Sequence, residues 1–254
     1  MPDQTGGSTP VVHSVSHAIA MMRLLAAAPE AMGVTAIARR LGLSPSSCFN
    51  ISRTLVDEGI LNFDPETKRY SLGPGAMILA NQSAMRDRVV LATRPLLEIL
   101  ATEFDGAAGV WRLIGANRAI LLDVRESESA TRIHMSPGQR QPAAAGAVGR
   151  ALMAATTPGR DTLRKLFGAV RWRRPMTFKG YESDLDKARS RGYAIDEGHL
   201  ISGITTVAAS LSDGRDNYAV SLSTFSGRYG DEDLHVVAQR LAAGLEEVRS
   251  RLIG

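Results

Sequence analysis

A helix-turn-helix pattern near the N-terminus constrains the fold more than any other part of the chain. Apolar residues at helical spacing predict a short helix over residues 34–41, which Gly42 ends. Ser44 then provides an N-cap, and Pro45 occupies the first position of a third helix that we expect to run to residue 58. A small residue, Ala38, at the contact and a glycine at the bend favour two helices that cross steeply over a tight turn.

Two further elements complete a small N-terminal domain. One is a helix over residues 11–26, whose apolar residues are spaced for one buried face at Val15, Ile19, Met22, Leu25 and Ala26. The other is a hairpin, with strands over residues 60–63 and 68–72 and a turn of sequence Asp-Pro-Glu-Thr. Three helices followed by a hairpin predict a winged helix-turn-helix, and an ordinary small helical bundle is the alternative.

The third helix has a polar face that is suited to DNA. Helical spacing turns Cys48, Ile51 and Leu55 inward. The outward side chains can bind phosphates or read bases, and they are Ser46, Ser47, Asn50, Arg53 and Thr54. Phe49 leans toward the same face, where it would contact a thymine methyl or, as we favour, pack against the wing.

The local distribution of charge supports DNA binding better than the net charge of the whole chain does. The formal net charge is +4, which permits a polyanionic partner without requiring one. Between Ala31 and Val56, however, there are three arginines (Arg39, Arg40, Arg53) and no acidic residue. Lys68 and Arg69, in the predicted wing, suit the DNA backbone or the minor groove. Chance clustering of charge on a solvated face is the alternative.

Residues 91–254 predict a second domain of the α+β class. Helices are expected over residues 93–103, 148–155, 161–167, 182–191 and 231–252, and strands over 107–113, 119–125, 131–135, 204–211 and 217–224. Asp213 and Gly214 form a strong hairpin turn between the last two strands. An antiparallel sheet with helices on its faces is typical of a ligand-sensing domain. Between the two domains, residues 74–90 predict a linker helix whose apolar side chains suit packing against another domain or protomer.

Several classes of protein are disfavoured by composition and motifs. The single cysteine, Cys48, allows no intrachain disulfide and no cysteine zinc site, and no apolar stretch is long enough to span a membrane. Residues 1–10 lack the pattern of a signal peptide and predict a disordered arm, so we expect a cytoplasmic protein. The five histidines show no metal-binding spacing, and the chain has no GxSxG, P-loop or post-strand GxGxxG motif. We therefore predict no metal, no cofactor and no enzymatic activity.

Motifs in both predicted domains resemble the IclR family of bacterial transcriptional regulators along nearly the whole chain. The N-terminal motifs are residues 15–19, 36–43 (Ala-Ile-Ala-Arg-Arg-Leu-Gly-Leu), 54–59 and 70–73. The C-terminal motifs are residues 138–142, 147–152 (Ala-Val-Gly-Arg-Ala-Leu), 191–196, 203–204 and 220–223. The resemblance implies a winged helix-turn-helix over residues 11–73, a linker helix and a GAF-like effector domain over residues 91–254. It also implies a homodimer on DNA, often a dimer of dimers (a homotetramer), and a small organic or aromatic acid as effector.

The resemblance also implies a binding pocket for that acid. Backbone amides of Ala147 and Val148 fall where the family holds a carboxylate, at a helix start that favours anions. Other polar positions of the family's pocket correspond to Asp196, Thr206, Ser221 and Ser223. Trp111, Leu113 and Met135 are candidates for apolar walls, and His199 is a candidate bond to an acidic ligand.

The chain departs from the family pattern at five positions. Thr206 replaces a frequent cysteine, Ser210 a frequent proline and His199 a common glutamate. In the third helix, Asn50 replaces a frequent arginine and Phe49 a frequent histidine, so we expect an operator that differs from the family's better-known sites. A ligand-responsive DNA-binding regulator on a pseudo-palindromic operator is our main hypothesis. The alternatives are a DNA-binding protein with a vestigial pocket, and a metabolite-binding protein or enzyme that uses the N-terminal domain only for assembly.

Overall fold

Two compact units make up the chain in the computed structural model, which describes residues 12–84 and 87–253. The division between the units falls between Arg86 and Asp87. The arm predicted over residues 1–10 lies outside the described residues.

The first unit contains four helices and a small sheet within the described residues. Its elements are α1 (His13–Ala27), β1 (Met32–Gly33), α2 (Val34–Leu41), α3 (Pro45–Asp57), β2 (Leu61–Asp64), β3 (Arg69–Leu72) and α4 (Pro74–Ala84). The strands form an antiparallel sheet in the order β1-β3-β2. The predicted helix-turn-helix and wing are therefore confirmed, and the short strand β1 adds a third member to the sheet.

The tight turn between α2 and α3 has the cause that the sequence predicts. Gly42 adopts a left-handed conformation with φ of 67°, which glycine reaches without steric cost. The hydroxyl of Ser44 accepts a hydrogen bond from the Ser47 amide, and Pro45 follows at the first helical position. Ile37, Cys48 and the first strand of the hairpin meet in the small core of this unit.

The predicted buried face of α1 is right at Leu25 and wrong at Val15, Ile19 and Ala26. Met21 and Leu25 are the buried side chains of this helix, whereas Val15 is 55% exposed and Ile19 is 42% exposed. A helix of small and apolar residues offers more than one plausible stripe, and the contact with α3 selects the one that contains Met21. The hydroxyl of Ser52, buried in α3, lies 3.3 Å from the Met21 sulfur.

The predicted linker helix over residues 74–90 spans parts of two helices. Helix α4 is described to Ala84, residues 85–86 lie outside the described residues, and α5 begins at Arg88. Asp87 is the N-cap of α5, since its side chain accepts a hydrogen bond from the Val90 amide. The last residues assigned to the linker by sequence therefore belong to the first helix of the second unit.

The second unit is built on a six-stranded antiparallel sheet in the order β6-β5-β4-β9-β8-β7. The strands are β4 (Ala107–Ile114), β5 (Arg118–Glu126), β6 (Arg140–Pro142), β7 (Ala194–Glu197), β8 (Ile204–Ser212) and β9 (Asn217–Phe225). The helices are α5 (Arg88–Glu103), α6 (Gly146–Thr156), α7 (Arg160–Gly168), α8 (Phe178–Arg191) and α9 (Asp231–Ile253). Mixed helix and antiparallel sheet confirm the α+β class.

Both faces of this sheet are covered by hydrophobic side chains. Helices α5 and α9 pack on one face with alternate residues of β9 such as Val220 and Leu222. Helices α6, α7 and α8 pack on the other face, where Trp111 and Ala219 contribute. Because side chains alternate along a strand, Ser221 and Ser223 point to this second face.

Besides α5, which begins at Arg88 rather than at residue 93, two predicted elements of the second unit differ from the structure. Residues 131–135 form no strand, and the edge position next to β5 is taken by β6 instead. Helix α8 begins at Phe178 rather than at residue 182, because Thr177 caps it by accepting a hydrogen bond from the Gly180 amide. No helix among the described residues has the length and hydropathy needed to cross a bilayer.

Candidate functional site

The predicted DNA-binding side chains lie exposed along one side of α3. Ser46, Ser47, Asn50, Arg53 and Thr54 are all exposed, while Cys48 and Ser52 are buried behind them. Burial raises the pKa of the Cys48 thiol, although a hydrogen bond from Ser52 acts in the opposite direction, so the thiol stays protonated at neutral pH. The exposed face therefore presents hydroxyl, amide and guanidinium groups, which are the groups that proteins use toward DNA.

Serine hydroxyls are organised around the N-terminus of α3. The Ser44 hydroxyl donates to the Ser47 hydroxyl at 2.8 Å, and it lies 3.2 Å from the hydroxyl of Ser46. Ser47 thus keeps its own proton available for an outside acceptor. A helix N-terminus favours anions, so this cluster is suited to a DNA phosphate.

The wing residues are exposed, and one of them is partly engaged. Arg69 is exposed, lies 3.5 Å from the Glu30 carboxylate and donates to the carbonyl of Ala31. Lys68 is exposed in the turn with a φ of 54°. The Thr67 hydroxyl and the Glu66 amide donate to Asp64 and lower the pKa of that carboxyl, which keeps it ionised and holds the turn.

Among the described residues, Phe49 makes no aromatic pair with the wing, and its packing there stays a prediction. Phe63 of the wing stacks on Tyr70, with ring centroids 4.8 Å apart. Phe49 is 48% exposed. It therefore remains available on the α3 surface, close to Asn50 and Arg53.

A cavity of about 260 Å³ in the second unit brings together most of the predicted effector-binding residues. Eight of the ten predicted residues line it: Trp111, Met135, Ala147, Val148, Asp196, Thr206, Ser221 and Ser223. The sequence did not indicate nine others: Ile133, His134, Gln139, Gln141, Ala145, Gly146, Leu200, Ile201 and Ile204. Most of these nine lie in segments without regular structure, which hydrophobic periodicity does not detect.

Two predicted residues lie outside this cavity. Leu113 packs against the hydrophobic cluster of α6, α7 and α8 instead. The imidazole of His199 accepts hydrogen bonds from Arg174 and lines a separate small depression. Burial, reinforced by the positive charge of Arg174, lowers the pKa of His199, so the ring is neutral at pH 7.

The N-terminus of α6 supplies the cavity with backbone donors. Ala145, the N-cap, has no side-chain cap, and the first helical hydrogen bond is donated by the Gly149 amide to the Ala145 carbonyl. The amides of Gly146, Ala147 and Val148 have no acceptor among the hydrogen bonds of the described residues. Free amides at a helix start, together with the helix dipole, make a binding site for a carboxylate.

Polar side chains of three adjacent strands, β7, β8 and β9, form one side of the cavity. The strand register places Asp196 opposite Thr206, and Thr206 opposite Ser223. The hydroxyls of Thr206 and Ser223 are 2.9 Å apart, and the Trp111 indole donates to the Ser221 hydroxyl at 3.0 Å. Ser221 and one member of the Thr206–Ser223 pair thus keep a proton to donate to a ligand.

The carboxylate of Glu126, at the end of β5, holds the segment that closes one side of the cavity. It accepts a hydrogen bond from the Met135 amide at 2.8 Å and lies 3.0 Å from the Nδ1 atom of His134. Burial alone would raise the pKa of Glu126, but the Met135 amide and the His134 imidazole outweigh it, and the pKa is lowered. The Glu126 carboxylate is therefore ionised at neutral pH.

A larger and more open cleft, of about 600 Å³, lies on the same unit. Its charged lining residues have opposite signs, with Arg173 and Arg174 against Glu197 and Asp231. Its hydroxyl groups are partly bonded to the protein, as in the contact of Thr205 with Ser226. We take the smaller cavity as the candidate site because the amides at the N-terminus of α6 face it together with the hydroxyls of Ser221 and Ser223.

The described residues contain no group of three or more histidine, cysteine, aspartate or glutamate side chains placed to hold a metal ion. The polar groups of the cavity include backbone amides and hydroxyls, and apolar side chains form much of its wall.

Comparison with family models identifies both units. The model described as the IclR helix-turn-helix domain matches residues 14–65, and the one described as the C-terminal part of the bacterial transcriptional regulator IclR matches residues 82–249. The chain belongs to the IclR family of bacterial transcriptional regulators.

Known relatives agree over nearly the whole length. The chain is 26% identical to the HTH-type transcriptional regulator BhcR of Paracoccus denitrificans, with 93% of this chain and 86% of that protein covered. It is similar to the crystal structure of an IclR transcriptional regulator from Alicyclobacillus acidocaldarius, with a TM-score of 0.76, 25% identity and coverage of 96% and 98%. An IclR homologue from Microbacterium hydrocarbonoxydans, solved in complex with 4-hydroxybenzoate, shares the fold with a TM-score of 0.73 and 18% identity over 94% of this chain and 99% of that one.

Proposed function

We propose that the protein is a transcription factor whose binding to an operator responds to a small organic acid held in the cavity of the second unit. The observation that carries the proposal is the meeting of free α6 amides with the hydroxyls of Ser221 and Ser223 in one cavity. Donors converge there on the place where a carboxylate would lie. Membership of a family of transcriptional regulators and an exposed polar face on α3 support the DNA-binding half of the proposal.

Cavity size and lining favour a small acid with an apolar body. A volume of about 260 Å³ is below the usual range for drug-sized ligands. Trp111, Ile133 and Ile204 also line the cavity and supply apolar wall. An aromatic or short branched acid satisfies both requirements, and the homologue that holds 4-hydroxybenzoate provides a precedent within the fold.

Two copies of the chain are proposed to bind one pseudo-palindromic operator. Exposed apolar side chains on α4 support self-association, since Met77, Ile78 and Leu79 are 66%, 55% and 59% exposed. Val15 and Ile19 of α1 are exposed as well. A two-fold dimer would place both α3 helices into successive major grooves, and half-sites would then be about one helical turn apart. A dimer of dimers extends the same arrangement.

Replacing Arg53 with alanine is expected to weaken specific DNA binding by about tenfold or more, because a guanidinium contact to a base or phosphate is lost. Affinity is measured by anisotropy at fixed salt, with a DNA fragment that the protein enriches from a genomic library. Ligand binding, measured by calorimetry, should stay unchanged. Arg215→Ala is the matched control, because Arg215 is exposed in the turn between β8 and β9. Equal operator affinity of the Arg53 variant and the parent protein would refute the role of Arg53 in specific DNA binding.

A further inference from the structure

A buried ion cluster lies beside the cavity and includes one of its lining residues. The guanidinium of Arg150, on α6, donates to Asp196 at 2.7 Å and to Asp184 at 3.2 Å. The side chain of Arg150 is 1% exposed and that of Asp196 is 4% exposed. Arg150 also lies 5.6 Å from the ring centroids of Trp172 and Tyr181. It is thus held on several sides, although it does not itself line the cavity.

The carboxylate of Asp196 presents a problem for a cavity that binds an acid. It lines the cavity, and an ionised carboxylate has only acceptor atoms, so it repels a second carboxylate. Both of its oxygens are engaged by the protein: Oδ1 accepts from Arg150, and Oδ2 accepts from the Leu200 amide at 3.0 Å. Each oxygen of Asp196 thus already accepts one hydrogen bond from the protein, which fixes the carboxylate in place at the cavity wall.

Charge balance in the cluster depends on Arg150. Asp184 has a second cation, Lys187, at 3.3 Å. Among the described residues, the basic groups within 4.0 Å of Asp196 are Arg150 and His199. Because burial lowers the pKa of His199, that ring carries no charge at pH 7. Arg150 is therefore the residue that neutralises the negative charge of Asp196.

We propose that Arg150 is a specificity-determining residue, which makes the cavity accept an anion by neutralising Asp196 without touching the ligand. The assignment rests on the proposed function, since it explains why a cavity lined by a buried carboxylate binds an acid. It also gives Asp196 a structural role, because its carboxylate joins α6, β7 and the Leu200 segment of the cavity wall.

The test compares two probes of nearly equal shape, benzoate and benzamide, by calorimetry on the full chain at fixed salt and pH 7.5. Arg150→Met removes the charge and keeps the side chain long and apolar. The ratio of benzoate affinity to benzamide affinity is expected to fall by about tenfold or more, because an uncompensated charge then faces the benzoate. A purely structural role of Arg150 would lower both affinities in equal proportion and leave the ratio unchanged.

Further variants keep the test decisive if Arg150→Met folds poorly. The double variant Arg150→Met/Asp196→Asn carries neither charge and should restore the ratio to within about threefold of the parent value, whereas Arg150→Lys should retain most of the ratio. Asp184→Asn is the matched control, because Asp184 contacts Arg150 but does not line the cavity. The ratio of benzoate affinity to benzamide affinity should not fall in Asp184→Asn.

Two results would overturn the assignment, and they are distinguishable. If the parent binds benzoate but the ratio is the same in the parent and in Arg150→Met, or stays low in the double variant, Arg150 does not determine specificity. If the parent binds neither benzoate nor any other acid of an aromatic and aliphatic panel, the effector half of the proposed function fails, and the role of Arg150 fails with it.

Discussion

Replacing Gly149 with alanine is expected to lower the free energy of unfolding of the second unit by about 3 kcal/mol or more. A β-carbon at this position would lie 2.1 Å from the backbone carbon of Ala144 and 2.6 Å from its carbonyl oxygen. The clash is with backbone, which has little freedom because the Ala144 carbonyl also accepts a hydrogen bond from the buried Tyr181 hydroxyl. The start of α6 must therefore move, and with it the amides that face the cavity.

Urea denaturation followed by tryptophan fluorescence measures this effect selectively. The chain has two tryptophans, Trp111 and Trp172, and both lie in the second unit. Gly168→Ala is the matched control: a β-carbon there meets no atom within 4 Å, so its stability should change by less than about 1 kcal/mol. If Gly149→Ala lowers the free energy of unfolding by less than about 1 kcal/mol, the close contact between Gly149 and the Ala144 backbone is not a rigid one.

Replacing both Ser221 and Ser223 with alanine is expected to reduce the effect of the acid on DNA affinity by at least about tenfold. The variant loses two hydroxyl donors toward a carboxylate, and a hydrogen bond to a charged group contributes about 1.5–3 kcal/mol. DNA affinity without acid should stay within about twofold of the parent value, because the substitutions leave the first unit unchanged. Anisotropy titrations with and without the acid measure both quantities.

Stability has to be measured alongside, because Ser221 also accepts the hydrogen bond of the buried Trp111 indole. Ser210→Ala is the matched control, since it removes a hydroxyl from β8 outside the cavity. A double variant that is folded and still responds fully to the acid would place the effector elsewhere in the chain.

The parts of the fold that sequence predicts well are those with strong local causes. Ser44, Pro45 and Gly42 fix the ends of α2 and α3 through capping and a left-handed turn, and both helices appear where expected. Asp213 and Gly214 likewise mark the turn between β8 and β9. These signals act within a few residues, so no knowledge of tertiary contacts is needed to interpret them.

The sequence-based predictions are wrong where tertiary contacts determine the local structure. The apolar pattern of α1 allowed a stripe through Val15 and Ile19, but packing against α3 buries Met21 instead. Residues 131–135 have strand-like composition, yet the carboxylate of Glu126 binds this segment through the Met135 amide, and β6 occupies the sheet edge. The spacing of apolar residues along the chain carries no information about either interaction.

For the candidate site, too, some residues are predicted from sequence, whereas the contacts between distant residues are not. The family resemblance brought eight residues to one cavity, including Ala147 at a helix start and Ser221 on a strand. The resemblance gave no sign that Asp196 is engaged by Arg150, because that contact joins residues 46 positions apart in sequence. His199 is a candidate because it replaces a glutamate that is common in the family, but its hydrogen bonds with Arg174 hold it outside the cavity.

One measurement tests the central claim directly: fluorescence anisotropy of the parent protein with a genomic DNA fragment that it enriches, over a salt series and with a panel of aromatic and aliphatic acids. The expected result is tight, sequence-selective binding with a steep salt dependence, shifted by at least one acid. The contrary result is binding that does not distinguish the enriched fragment from a shuffled sequence and that no acid changes. It would contradict both the DNA-binding and the effector-binding assignments.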